Sequence, residues 1–343
     1  MKAGDGTLMN SSEMILRVTR GPLTESIHHG HIVAIRWDGS LVHHLGNPEL
    51  VTFVRSTAKL IQAIPVITSG AADHFHLNDA EIALCCASHN GERVHTDTAL
   101  SMLQKIGRVP EDLQCGAHAP YHKPTADAMG KKGIDPTALH NNCSGKHSAM
   151  LALAAHLGVS HEHYMEPEHP VQQLMLQAVS SMTGVAAAEI PLGVDGCGVP
   201  VFGLALSRLA LAYARLGKPE RLPAVIAEAS ARIIRALRRC PEMLAGSDRF
   251  DTQLISVTKG RILGKMGAEG VFAVTVPDEG LALVLKVEDG AQRALYPVVT
   301  EALSQLGLLS AEENRALAAF HRPVLRNWKG TIIGELVPDF ILR

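Results

Sequence analysis

The spacing of apolar and polar residues divides the chain into three stretches. Near the N-terminus, HIVAIRWDGSLVHHLG alternates on either side of Asp38-Gly39, and an Asp-Gly pair between two alternating runs predicts a β-hairpin. From Ser56 to about Arg239 the period lengthens to that of a helix. Helical pieces are predicted at 56–69 (bent or ended near Pro65), 78–86, 95–106, 145–157, 170–183, 200–216 and 222–239, with Pro and Gly at most boundaries. Strand-type runs return in RILGKMG, GVFAVTVP and LALVLKVED, separated by turn signals at Gly267–Gly270 and Pro277–Gly280. A helix from about Ala291 to Leu306, another near 310–320 and a strand-like GTIIGELVP complete the pattern. Strands at both ends with helices between predict an α+β fold in one domain, residues 1–343. Its antiparallel sheet would come from about 14–55 and 250–343, and its mainly helical region from about 56–240.

Composition narrows the function classes. The 343 residues are 46% hydrophobic and 19% charged, the profile of a globular protein with a sizeable core. A net charge of −2, with no basic block longer than Arg238-Arg239, argues against nucleic acid or an anionic membrane as partner. The longest apolar stretch, Gly198 to Gly217, is broken by Ser207, Arg208 and Arg215 and reads as a buried helix rather than a membrane span. The opening MKAGDGTLMNSSEM lacks the apolar core of a signal peptide, so a cytoplasmic location is expected. Six cysteines (85, 86, 115, 143, 197 and 240) in a chain this long are thiols or metal ligands, not a disulfide framework.

Candidate chemistry starts at VRSTAKLIQA, where Ser56 stands three residues before Lys59 on one helix face. An exposed lysine after a serine is the ordinary reading of such a pair. Three features oppose it here. Lys59 is flanked by Ala58, Leu60 and Ile61, so its helix is too apolar for a solvated face. Ser88-His89-Asn90 follows a helical run, and Lys265-Met266-Gly267 lies on a predicted strand. S-x-x-K, S-x-N and K-x-G in that order form the motif set of serine β-lactamases and penicillin-binding proteins. A serine hydroxyl needs a base, and a lysine is a base only as the neutral amine, which burial and a neighbouring cation favour. Lys265 would be the cation depressing Lys59, with Ser88 relaying protons between them.

A second cluster is independent of the first. LHNNCSGKHSAM holds Cys143, Lys146 and His147, and GVDGCGVP holds Asp195 and Cys197. Buried thiols are the ordinary reading, but two cysteines with a histidine and an aspartate also suit Zn²⁺. Cys85-Cys86 sits in an apolar helical run and reads as core, and the histidines at 28, 29, 31, 43, 44, 74, 76, 161, 163 and 169 form no i, i+4 ligand pair.

The pieces GNPELVTFVRSTAKLIQA, CASHNGE, NNCSGKH, VDGCGVP, GKMGAEG and KVEDG, in this order, resemble the rhizobial-type (class 3) L-asparaginases, the asparaginase II family. The resemblance runs nearly the whole chain. It implies a serine-β-lactamase-like fold, a homodimer and hydrolysis of the side-chain amide of L-asparagine. It makes Ser56 the nucleophile with Lys59 its partner, and Ser88 the second catalytic hydroxyl with Lys265 its partner. It implies zinc on Cys143, Lys146 and Cys197, with Arg55, His147 and Asp195 at the substrate. Met266 and Asn90 occupy positions that vary among relatives. The competing readings are a glutaminase, a β-lactamase-like serine acyl hydrolase and a non-enzymatic metal-binding protein; the last would have no need for two Ser-Lys pairs.

Overall fold

The computed structural model describes residues 11–343. Its strands are β1 (Glu13–Arg20), β2 (Leu23–Arg36), β3 (Leu41–Leu45), β4 (Val51–Phe53), β5 (Leu192–Val194), β6 (Pro200–Ala205), β7 (Leu263–Gly267), β8 (Val271–Val276), β9 (Leu281–Val287), β10 (Val324–Arg326) and β11 (Ile332–Pro338). Eight of them form one antiparallel sheet in the order β10-β11-β1-β2-β9-β8-β7, with β3 added beside β2. The Asp38-Gly39 hairpin is present, joining β2 to β3 with Ile35 opposite Leu41. Both ends of the chain therefore build the sheet and the helices fall between, the α+β, serine-β-lactamase-like arrangement expected.

Both faces of this sheet are covered. Val33, Ile35, Ala273, Ala282 and Val284 pack against the helical region, while Ile32, Ala34, Phe272, Val274, Leu283 and Leu285 pack under the helix Gln292–Gln305. That is why LALVLKV is apolar at nearly every position instead of alternating: no residue of β9 faces water. Each such side chain contributes about 1.5–3 kcal/mol of burial.

Several elements differ from the sequence expectation. The apolar run at 200–216 is not one helix: Pro200–Ala205 is a strand and Leu206–Gly217 a helix. A run buried on all sides carries no period to tell the two apart. β6 pairs with β4 and β5 in a small second sheet, whose three-residue flanking strands are too short to show alternation. Residues 250–257 form a helix rather than sheet, and helices at Ala71–His74 and Lys123–Lys132 were not expected. The predicted 56–69 helix is three short pieces, Arg55–Ala58, Lys59–Gln62 and Ile64–Thr68. Among the described residues, no helix is long and apolar enough to cross a membrane.

Candidate active site

Three chain segments meet where β7 packs against the turn Arg55–Ala58. An added Cβ at Gly267 would lie 3.1 Å from the Val54 carbonyl and 3.4 Å from Arg55, so β7 approaches the turn that carries Ser56 closely. Strand alternation puts Lys265 on the same face as Gly267, toward the turn that carries Ser56, and Met266 on the opposite face. The third segment follows the helix Asp79–Cys85, whose start is fixed by an Asn78/Glu81 capping box. Beyond it the backbone is pinned by Ser88 N–H to Leu244 O (2.9 Å), His89 N–H to Asn142 O (3.2 Å) and Asn90 N–H to Ala245 O (2.8 Å).

Ser56 and Ser88 line one cleft of about 590 Å³, together with Asn142, Arg249, Met266 and Glu269 among others. Ser56 is half-buried and its hydroxyl makes no hydrogen bond among the described residues. Ser88 is 5% exposed, and behind it Lys59 is buried. The Lys59 amine donates to Ala87 O (2.6 Å), Ser88 Oγ (2.9 Å) and Cys143 Sγ (3.1 Å). Lys59 is thus bonded to Ser88, not to Ser56, and the i, i+3 pairing read from the sequence is not the contact formed. Three residues of a broken helix do not hold the geometry of a regular turn.

Lys265 also differs from expectation. It is buried and donates only to Met266 O at 2.7 Å. Burial pushes its amine down to about 7, Asp251 opposes this, and Lys59 and Arg249 push the same way. Lys265 is thus itself depressed, with Lys59 among its depressors, where the sequence reading made it the cation acting on Lys59. Asp251, buried on the helix Phe250–Val257, accepts Met266 N–H at 2.7 Å through Oδ1, while its Oδ2 has no partner among the described residues.

Beside Lys59 lies the cysteine cluster. Lys146 donates to Cys197 Sγ at 3.1 Å. A hydrogen bond between the two thiols raises Cys143 to about 12, with burial adding to it, and lowers Cys197 to about 5 against burial, aided by Lys146 and Lys59. One proton is shared by two sulfurs, and the single remaining negative charge is balanced by Lys146. Burial works against the Lys146 ammonium, but Cys197, Cys143 and Asp195 outweigh it and hold its pKa above the usual lysine value. Burial would likewise raise Asp195, but Lys146, the Gly196 N–H and Arg55 keep it below the ordinary carboxylate range. Arg55 reaches Asp195 Oδ1 at 2.8 Å from a left-handed backbone (φ 50°), a conformation costing about 1–2 kcal/mol in a non-glycine residue. His147 donates or accepts through Nδ1 with Tyr164 OH at 2.6 Å, and its Nε2 is buried without a partner. Burial and then Lys146 lower His147 to about 3, so the ring is neutral at pH 7.

The fit of this cluster to a metal depends on the amine. Among the described residues, no three His, Cys, Asp or Glu side chains gather as a metal site. Two sulfurs and one nitrogen nevertheless converge at Cys143, Cys197 and Lys146, a soft set that suits zinc once Lys146 and both thiols are deprotonated. Cys85 and Cys86 are buried core thiols, and all six cysteines are free. Arg249, Asp251, Gln292 and Tyr296 lie in none of the motifs, and Glu269 lies within GKMGAEG without being a predicted site residue.

The family model for L-asparaginase II matches residues 16–338. No curated protein matches the chain. Among solved structures, a β-lactamase from Mycobacterium bovis is 14% identical, covering 85% of this chain and 95% of its own, with a TM-score of 0.41. A class C β-lactamase is 13% identical, covering 79% and 92%, with a TM-score of 0.41. A D-alanine carboxypeptidase from Burkholderia cenocepacia is 11% identical, covering 79% and 93%, with a TM-score of 0.37. The chain belongs to the L-asparaginase II family and is an asparaginase-type amidohydrolase.

Proposed function

We propose that this member of the L-asparaginase II family hydrolyses the side-chain amide of L-asparagine to L-aspartate and ammonia through an ester on Ser56. The observation that carries the reading is the convergence of two serine hydroxyls on one cleft, with two buried lysines behind them. Ser56 is the attacking group because its hydroxyl is unbonded and more open than that of Ser88. Ser56 Oγ forms a bond to the carboxamide carbon as its proton passes to a neutral lysine amine. Lys265 fits that task near pH 7, since its pKa is matched to it and strand alternation turns it toward the turn that carries Ser56. Collapse of the tetrahedral adduct breaks the C–N bond, and a proton returned to nitrogen lets ammonia leave. The Ser88–Lys59 pair, already hydrogen-bonded at 2.9 Å, supplies that proton. Water then attacks the Ser56 ester, giving its proton to the Ser88–Lys59 pair, and Lys265 returns its proton to Ser56 Oγ as the C–O bond breaks and L-aspartate leaves.

Cys143, Lys146 and Cys197 would hold zinc, whose charge when bound helps orient the polar head of the amino acid. Asp195, held ionised, receives the substrate's α-ammonium, with Arg55 setting its position and His147 lying beside it as a neutral ring. The chemistry itself is done by side chains of the cleft, so no metal-activated water is required. The test is ammonia release from L-asparagine by the purified protein and by Ser56→Ala. Activity retained in Ser56→Ala, or an ester mapped to Ser88, would overturn the assignment. No release from asparagine by the wild type, with release from glutamine or ring opening of a β-lactam, would move the chain to another substrate.

A further inference from the structure

On the face of β7 away from Ser56, three donors converge on one poor acceptor. Arg249 Nη2 (3.4 Å), Gln292 Nε2 (3.1 Å) and the Tyr296 hydroxyl (3.1 Å) all point at the thioether sulfur of Met266. A thioether is a weak acceptor and cannot satisfy a guanidinium, a carboxamide and a phenol together. Arg249 forms no ion pair among the described residues, unlike Arg55, Arg232 and Arg261, which each meet a carboxylate at hydrogen-bond distance. Tyr296 is fixed in place by stacking on Phe250 (4.8 Å between centroids) and by edge contacts to Phe272 and Phe320. Gln292 is tied to Tyr296 OH at 3.4 Å, and Arg249, Met266 and Gln292 all line the cleft that holds Ser56 and Ser88. Arg249 and Gln292 therefore face the substrate space beside a fixed Tyr296 hydroxyl, and none of the three meets a carboxylate among the described residues.

We infer that Arg249, Gln292 and Tyr296 form the site for the α-carboxylate of the amino-acid substrate, with Met266 as its floor. A carboxylate offers two oxygens that the planar guanidinium can meet with parallel N–H bonds, leaving lone pairs for the carboxamide and the phenol. The inference rests on the amidohydrolase reading and adds to it the group that selects α-amino acids over simple amides. It also gives the substrate two anchors: Asp195 for the ammonium and Arg249 for the carboxylate.

The experiment compares wild type, Arg249→Met and Arg249→Lys with two ligands: L-asparagine, and 3-aminopropanamide, which is asparagine without its α-carboxylate. Arg249→Met is expected to raise KM for L-asparagine at least tenfold with kcat within about threefold, the pattern of lost binding common to ground and transition states. The inhibition constant of 3-aminopropanamide against L-asparagine should stay within about twofold, and Arg249→Lys should restore part of the loss. Gln292→Leu, an exposed position that leaves folding alone, should show the same selective effect at about threefold. Equal losses on both ligands, or an unchanged KM, would overturn the inference. Calorimetric binding of L-aspartate separates the two levels of the argument. If the wild type releases no ammonia, the amidohydrolase reading fails, yet weaker aspartate binding by Arg249→Met still supports the carboxylate site; equal binding, or none to either protein, removes it.

Discussion

Lys146 and Lys265 are both enclosed, at 3% and 0% exposure, yet burial prevails at one and fails at the other. Lys265 sits on a sheet strand facing two other cations, with its carboxylate neighbour Asp251 engaged with backbone, and it is driven toward the neutral amine. Lys146 sits among two sulfurs and Asp195 and is driven toward the ammonium. Desolvation alone does not decide the state of a buried lysine; the sign of the charges that share its enclosure does. The same residue type is thus driven toward the neutral amine in the sheet and held as a counter-ion to sulfur and carboxylate in the helical region.

The largest expected effect comes from removing Lys59, the cation that borders both of these lysines' enclosures. Lys59→Met keeps the volume and should lower kcat by about 10⁴-fold or more, because general acid–base chemistry alone supplies about 10²–10⁴ and the residue also holds Ser88. Activity within tenfold of wild type, with the fold intact by circular dichroism, would make Lys59 structural. Next, the two contrasting lysines should differ in what their loss does to folding. Lys146→Met leaves a buried thiolate without its counter-ion and should cost about 3–5 kcal/mol in urea unfolding. Lys265→Met should cost little or nothing at neutral pH while abolishing turnover. Equal destabilisation by both would erase the distinction.

The pH dependence sharpens it further. With Lys265 as base, kcat/KM should fall about tenfold per unit below pH 7 and level off above it. A profile peaking near pH 5 would exclude a lysine base. Stability carries the same signature. Between the folded value near 7 and the unfolded value near 10.5, the unfolded chain binds more protons at this position, so stability rises with pH across that window. That contribution is lost as pH falls through 7, and it should vanish in Lys265→Met. The smallest expected effect is on the metal side: chelation should raise KM for L-asparagine several-fold and lower kcat much less, with bound zinc quantified before and after. A collapse of kcat at constant KM would place the metal in the chemical step.

The residues of the site were legible where chemistry is local in sequence. S-x-x-K, S-H-N and K-M-G announce themselves by spacing, whereas Lys146 beside Cys143 and Cys197 came from the family resemblance, and the structure brings these residues together with Lys59, Ser88 and Lys265. What could not be read was who touches whom. The Lys59–Ser88 bond joins residues 29 apart and exists because the helix ending at Cys85 aims the chain at Lys59. Arg249, Gln292 and Tyr296 lie at unremarkable positions and become a set only when two helices flank Met266. The fold was read correctly at the Asp38-Gly39 hairpin and at the strands of 261–289, where turn residues punctuate the runs. It was missed at β6, where burial on every side removes the period, and at β4 and β5, which are too short to have one.

The pairing of the chain's two ends also bears on synthesis. Leu16 lies opposite Pro338, and Ile32 opposite Leu285, so the sheet that positions Lys265 is built from partners hundreds of residues apart. On a ribosome adding about 5–20 residues per second, the first hairpin would wait roughly 15–60 s for its last neighbour. During that wait the helical segments can form local contacts, but one face of β2 stays exposed. Sheet closure is then the late, non-local and slow event of folding, and a nascent chain halted before β9 should depend on a chaperone to stay soluble.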